Sequence, residues 1–293
     1  MKQLFKGLAL VGLGCVIVAC TPTPQGGSPT SLERDTTAQV SLDERTGHIV
    51  FPLSQYDLSA SASDIGVLNQ ALFLRIETCM NARSMPFRAG RVDPGPPLDD
   101  RNFGVWFEPG AQTWGLMRPP DPVAETFQAD EDAGGERWSQ EVAACNAEAE
   151  SDPDSADFVP TQDAMFDSLA QKLGTTAMRA ATRTAEWGAI RDKWSECLTA
   201  NGLTAMDSET DWISVESQTA LENGDPPERI IQLSGIEARC NNDLRVTQTA
   251  GDIVASFQVP LISANQVTLN DEKAEKDRYL AAAKKYIDQQ KHG

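Results

Sequence analysis

Histidine is the first shortage. The 293 residues hold two, His48 and His292, one towards each end of the chain. A Ser/His/Asp triad or a multi-histidine zinc site needs imidazole in the folded core, and this chain has almost none to offer. Nor is there a Cys-x-x-Cys, a Gly-x-Ser-x-Gly, a phosphate-binding glycine loop or a dinucleotide fingerprint. The expectation is a protein that acts without catalysis and without a cofactor. Two carboxylates suffice to cleave a glycan, so a hydrolase of cell-wall polymers stays as the third reading. With 43 acidic residues the sequence selects no pair for it.

Positive charge is the second shortage. Twenty-five Lys and Arg face 43 Asp and Glu, a formal charge of −18. Such a chain repels phosphate backbones and anionic headgroups, which excludes nucleic acid as an expected partner. Long apolar runs are the third. The best one, Leu8 to Ala19, has twelve residues, against the roughly 20 that a membrane-spanning helix needs.

That short run is informative for what surrounds it. Lys2 and Lys6 precede it, and Ile17-Val18-Ala19-Cys20 closes it before Thr-Pro-Thr-Pro. This is the pattern of a secretory signal ending in a lipobox, with Cys20 as the acylated first residue of the mature chain. Cys15 fits less well, because Gly12 stands three residues earlier where an aliphatic is required. A diacylglyceryl group plus an N-acyl chain, at ~0.8 kcal/mol per buried methylene, is enough for stable anchoring. The sequence thus predicts a cell-membrane lipoprotein facing the extracytoplasmic side, its membrane contact made through the N-terminal lipid.

Thr21 to about Arg45 is rich in Thr, Pro, Gly, Ser and charge. It reads as a flexible tether, reaching roughly 25–30 Å. Beyond it the expectation is all-α: a disulfide-stapled helical domain of two related helix–loop–helix halves, with a long C-terminal helical region. The divisions are a signal (1–19), lipidated N-terminus and tether (20–49), first helical half (50–159) with an irregular 88–122 stretch, second half (160–257) and C-terminal helix (258–293). Ser63 reads as the cap of a helix lined by Ile65, Leu68, Leu72, Ile76 and Cys79. Thr161 to Ala200 reads as nearly continuous helix broken at Gly174. From Pro227 the pattern stays helical to the end, with Gly251 and Pro260 as interruptions and a turn expected near 258–260.

Four cysteines remain in the exported chain, and oxidising surroundings favour their pairing. An internal echo chooses among the three connectivities. Cys79-Met-Asn-Ala-Arg-Ser-Met85 matches Cys197-Leu-Thr-Ala-Asn-Gly-Leu203, and Leu72 and Ile76 mirror Ile190 and Trp194 upstream. Around the other two, Trp138, Cys145, Asn146 and Glu148 match Leu233, Cys240, Asn241 and Asp243 in offset. The pairs expected are therefore Cys79–Cys145 and Cys197–Cys240.

Two further site expectations come from local pattern. Phe103, Trp106, Phe107 and Trp114 lie in an irregular segment and suit a stacking platform for a sugar or small ligand. The commoner use of such aromatics is to pin a long loop to the core. Asp130, Asp132, Gly135 and Glu141 fall at positions 1, 3, 6 and 12 of a calcium loop, although position 5 is Gly134 and has no ligand atom. A solvated acidic turn before a helix is the competing reading.

Pro52-Leu-Ser-Gln-Tyr56-Asp-Leu-Ser, the run into Cys79-Met80, Arg101-Asn-Phe-Gly-Val, Trp114-Gly, Pro119-Pro120 and Ile236-Glu-Ala-Arg-Cys240 resemble a loose set of actinobacterial secreted lipoproteins of unknown function. The resemblance spans about residues 50–265, with Ser84 standing where that set favours glycine. It supports the architecture and brings no activity with it. The leading functional expectation is a non-catalytic binding or assembly module whose C-terminal helical region engages another envelope protein. The rival is a binder of wall glycan or a small ligand through the aromatic 88–122 segment.

Overall fold

The computed structural model of the chain describes residues 32–95 and 98–292. Cys20 and the signal lie outside these residues. Order begins earlier than the composition suggests. Ser41–Asp43 (β1) and His48–Val50 (β2) form an antiparallel hairpin with Leu42 opposite Ile49. Val40 and Ile49 are buried in the main core, so the expected tether does not extend through 33–49. Two apolar side chains and a handful of backbone bonds decide this, and a composition average over 25 residues conceals them.

Ten α-helices follow among the described residues: α1 Ala62–Ala82, α2 Glu108–Thr113, α3 Pro122–Ser151, α4 Gln162–Phe166, α5 Leu169–Ala181, α6 Ala185–Ala200, α7 Val215–Asn223, α8 Pro227–Leu244, α9 Val246–Ala264 and α10 Gln266–His292. Hydroxyl and carboxylate caps set most of the starts. Ser61, not Ser63, caps α1 by accepting from Asp64 N–H. Thr161, Ser168 and Thr184 cap α4, α5 and α6 in the same way. The 161–200 stretch therefore breaks at those caps, each of which satisfies an otherwise orphaned N–H, while Gly174 lies inside α5.

The C-terminal third also turns at unexpected places. Arg245, in left-handed conformation (φ 53°), separates α8 from α9, and Asn265 separates α9 from α10. Gly251 and Pro260 both sit within α9. Each serves the N-terminal strip instead of breaking the helix. A Cβ at Gly251 would come within 2.6 Å of Val40 Cγ2, so only glycine lets Val40 seat there. Pro260 cannot donate to Ser256 O four residues earlier, and that carbonyl accepts Asp35 N–H at 2.8 Å. Asp252 accepts Val40 N–H, and Gln248 donates to Val40 O.

α1 lies between α3 and α10, while α9 packs on α5 and α6, and α8 on α2, α6 and α7. α10, the helix expected to engage a partner, packs on the body of the protein. Tyr279, Leu280, Ala283 and Ile287 bury against Leu58, Leu68, Ala71 and Leu74. Lys276 fastens its middle, donating to Ser54 O and Asp57 O and pairing with Asp64 at 3.0 Å. The C-terminal helix thus starts at Gln266, where Asn265 ends α9, and its apolar face is already occupied.

Both expected disulfides form. Cys79–Cys145 and Cys197–Cys240 have Cα–Cα separations of 5.8 Å and span 66 and 43 residues. The echo extends to the backbone. At the end of α1, Ser84 N–H reaches Asn81 O and Met85 N–H reaches Met80 O; at the end of α6, Gly202 reaches Thr199 and Leu203 reaches Leu198. These are the paired bonds of a Schellman stop, with a left-handed residue, Ser84 or Gly202, at the turn.

Candidate functional site

The aromatic 88–122 segment faces inward. Phe103 is fully buried between Phe51 and Trp187, with ring centroids 6.1 and 5.8 Å away. Trp106 is buried and donates Nε1–H to Asp100 O. Phe107 and Trp114 are half-buried. Two asparagines of α8 hold the backbone of this segment: Asn241 donates to Phe103 O at 2.7 Å, and Asn242 to Trp106 O at 3.0 Å. The four aromatics therefore do not assemble a stacking platform. Burying rings of this size, with their amide neighbours satisfied, stabilises more than exposing them to a ligand would.

The acidic pattern at 130–141 is not a loop. Asp130, Asp132 and Glu141 all lie on α3, which bends at Gly135 but stays helical on both sides. Asp130, 2% exposed, accepts Arg88 N–H and pairs with its guanidinium at 2.6 Å. Glu141 pairs with Arg83 instead, and Asp132 accepts from Gln128 on the surface. No cluster of three metal-ligating side chains occurs among the described residues. A calcium loop has to curl its ligands around one point, and a helix spreads them along its length.

His48 Nδ1 sits 3.4 Å from Asp100 Oδ2, and the same carboxylate oxygen accepts Ile49 N–H at 2.8 Å. This ties the hairpin to the aromatic segment.

What the fold does assemble is an open groove of about 460 Å³. Phe51 and Leu53, around the 3₁₀ turn Pro52–Gln55, form one wall with Asp57 and Ser59; Ala170, Gln171 and Gly174 of α5 form the other. Gln171 Nε2 holds the walls together, donating to Ser59 Oγ at 2.7 Å and Met165 O at 2.8 Å. Gln258 closes the floor by accepting Leu53 N–H. Phe166, at the end of α4, stands on the lip with 69% of its surface exposed. Short α4 ends at Asp167 because Ser168 opens a new helix, which leaves Phe166 without a packing partner from its own helix face. At Gly174 a Cβ would meet only Leu53 Cδ1, at 4.0 Å, so the groove is open there.

The groove residues carry no local motif and are brought together from positions 51–60, 166–175 and 258. The one local trace is the Phe-Asp-Ser sequence at 166–168, an aromatic followed at once by a cap.

No protein-family model, curated protein or solved structure matches the chain.

Proposed function

We propose that this protein is a lipid-anchored lipoprotein of the extracytoplasmic face, acting as a non-catalytic binding module that captures an apolar segment of another envelope protein in the groove beside Phe166. The observation that carries the reading is Phe166, a large apolar side chain 69% exposed on the rim of a preformed groove. What gives Phe166 weight is its place on the lip of a groove, since an aromatic anchor beside a pocket with a polar rim is what a binding surface provides. Support for the compartment comes from the two disulfides and from the lipobox at Cys20. The acidic surface favours solubility outside the lipid. The resemblance to actinobacterial secreted lipoproteins agrees with this placement.

The groove takes over the role that the sequence suggested for the C-terminal helix, since that helix has spent its apolar face on α1. In-cell crosslinking from position 166 is the test, with Gly174→Trp as the blocking variant. Gly174 has open space above it, so the added ring fills the groove rather than the core. A crosslinked protein lost on Gly174→Trp supports the reading. Capture that is indifferent to Gly174→Trp overturns it. Cys20→Ser should move the protein from membrane to soluble fractions, and retention in the membrane would refute the anchor.

A further inference from the structure

Behind α7 the structure buries a carboxyl group that the groove does not use. Glu237, on α8, is 1% exposed. Its Oε1 accepts Ser214 N–H at 2.8 Å. Its Oε2, together with Ser217 Oγ and Trp212 Nε1, has no hydrogen-bond partner among the described residues. A buried carboxylate with one oxygen unsatisfied is expensive, whereas a neutral acid there has a proton to give. The Ser217 hydroxyl lies near the carboxyl and is itself unpartnered, so it is available to accept that proton.

We propose that Glu237 is a proton-operated clasp: as the neutral acid it holds the 204–215 segment to α8, and loss of its proton frees that segment. The segment is well placed for this. Ser214, whose N–H the clasp holds, is the N-cap of α7, its hydroxyl accepting Ser217 N–H. The strip is also fastened by the bridge between Ala205 and Ser214, by Trp187 Nε1–H on Glu209 O, by Arg191 on the Met206 and Asp211 carbonyls, and by Glu216. Trp212 is buried against Trp187 and Trp194, so the opening that the clasp governs is a local one.

The surrounding charges do not relieve Glu237. From α7, Glu216 adds a like charge. On α6, Arg191 is turned to backbone carbonyls and to the rings of Trp194 and Trp212. On α2, Glu108 accepts from Asn242, and on α9, Asp252 is taken by Val40 and Gln248. Along α8 itself, Arg239 and Asp243 are exposed.

Burial pushes the Glu237 carboxyl above its ordinary range, against the opposing hydrogen bond from Ser214 N–H. The unfolded carboxyl loses its proton near 4.5 and the folded one higher. Between those values the clasped form holds one more proton, so clasping weakens as pH rises. Glu216 behaves oppositely. Burial raises it, but the Thr204 N–H and hydroxyl, with Arg229, bring it below its ordinary range. Its hold is present above 4.5 and is lost as pH falls through the folded value. The segment is therefore held best in a window that Glu216 bounds on the acid side and Glu237 on the alkaline side.

Peptide-resolved hydrogen exchange of the full chain, corrected for intrinsic pH dependence, tests the clasp. Opening of 204–215 should rise about tenfold per pH unit between the unfolded and folded Glu237 values. It should be flat over that range in Glu237→Gln, which keeps the acceptor and adds a permanent donor. Identical profiles in both proteins overturn the proposal. If Glu237→Gln does not fold, ¹³C carboxyl NMR of the wild-type chain decides: a Glu237 carboxyl titrating at or below the ordinary glutamate value overturns it.

Discussion

The two cystine-closed units end their first helices with the same backbone bonds and yet are braced by different forces. Around Cys79–Cys145, a modest apolar cluster of Phe87, Phe127 and Trp138 is ringed by arginine–carboxylate pairs. Arg83 bridges Glu141 and Glu148, Arg88 meets Asp130, Arg91 meets Glu77 at 2.7 Å, and Arg75 meets Asp152 at 2.9 Å. Around Cys197–Cys240 the neighbours are rings: Trp212 lies 5.6 Å from Trp187 and 5.4 Å from Trp194, with Arg191 over it at 4.9 Å. The same helix stop works in a charged shell and in an aromatic core. Its local sequence therefore dictates the turn and the pairing, while the surroundings dictate what will disrupt it.

The strongest test of that contrast is Trp194→Ala. The side chain is 1% exposed in the aromatic unit, and its removal should cost about 3–5 kcal/mol in denaturant unfolding. A cost below about 2 kcal/mol would deny the rings their role. Next come the cystines themselves. Replacing either pair with serine should cost about 4 kcal/mol, and the two should agree within about 0.5 kcal/mol because loop closure depends only logarithmically on span. A large difference would show that native surroundings, not chain entropy, set the contribution.

The units should also part company with pH. Asp152, at the end of α3, is held below the ordinary carboxylate range by hydrogen bonds from the Arg75 side chain and Asp154 N–H. Its contribution is present above the unfolded value of 3.8 and is lost as pH falls through the folded one. Glu237 acts with the reverse sign. Rising pH should loosen 204–215 and leave α3 unchanged, while acid should loosen α3 through Asp152 and 204–215 through Glu216, as exchange at both places would report. Loosening of α3 with rising pH, or a 204–215 segment indifferent to it, would erase the distinction.

The finest comparison is a swap of turn residues. Ser84 has φ 58° and Gly202 φ 76°. A left-handed non-glycine residue costs about 1 kcal/mol, so Ser84→Gly should stabilise and Gly202→Ser destabilise by about that amount. Thermal unfolding of both variants reads it directly.

Those two stops were legible because everything that makes them is local: a cysteine, an apolar residue on each side, a small residue at the turn. The pairing followed from the echo. The α5 and α6 starts were equally local, in Ser168 and Thr184, but the surrounding helix formers mask them. Gly251 and Pro260 misled for a different reason. Their use depends on Val40 and Asp35, more than 200 residues earlier, and no window of sequence contains both partners. Arg245 gives no signal at all, since a left-handed arginine looks like any other. The groove is legible only in three dimensions, because its walls come from separate turns and its floor from Gln258. The aromatic segment fell to the plainer alternative: its rings pin a loop.

The seat that Gly251 and Pro260 make for the N-terminal strip also orders events in time. A chain is made from its N-terminus, and Glu33 to Val50 emerges long before α9. Until residues 246–264 have followed, Val40 has no notch to enter and Asp35 no carbonyl to meet. The strip of residues 33–50 therefore waits, undocked, until nearly the whole chain has been made. Docking of the hairpin is one of the last steps of assembly, although the hairpin is one of the first parts to arrive.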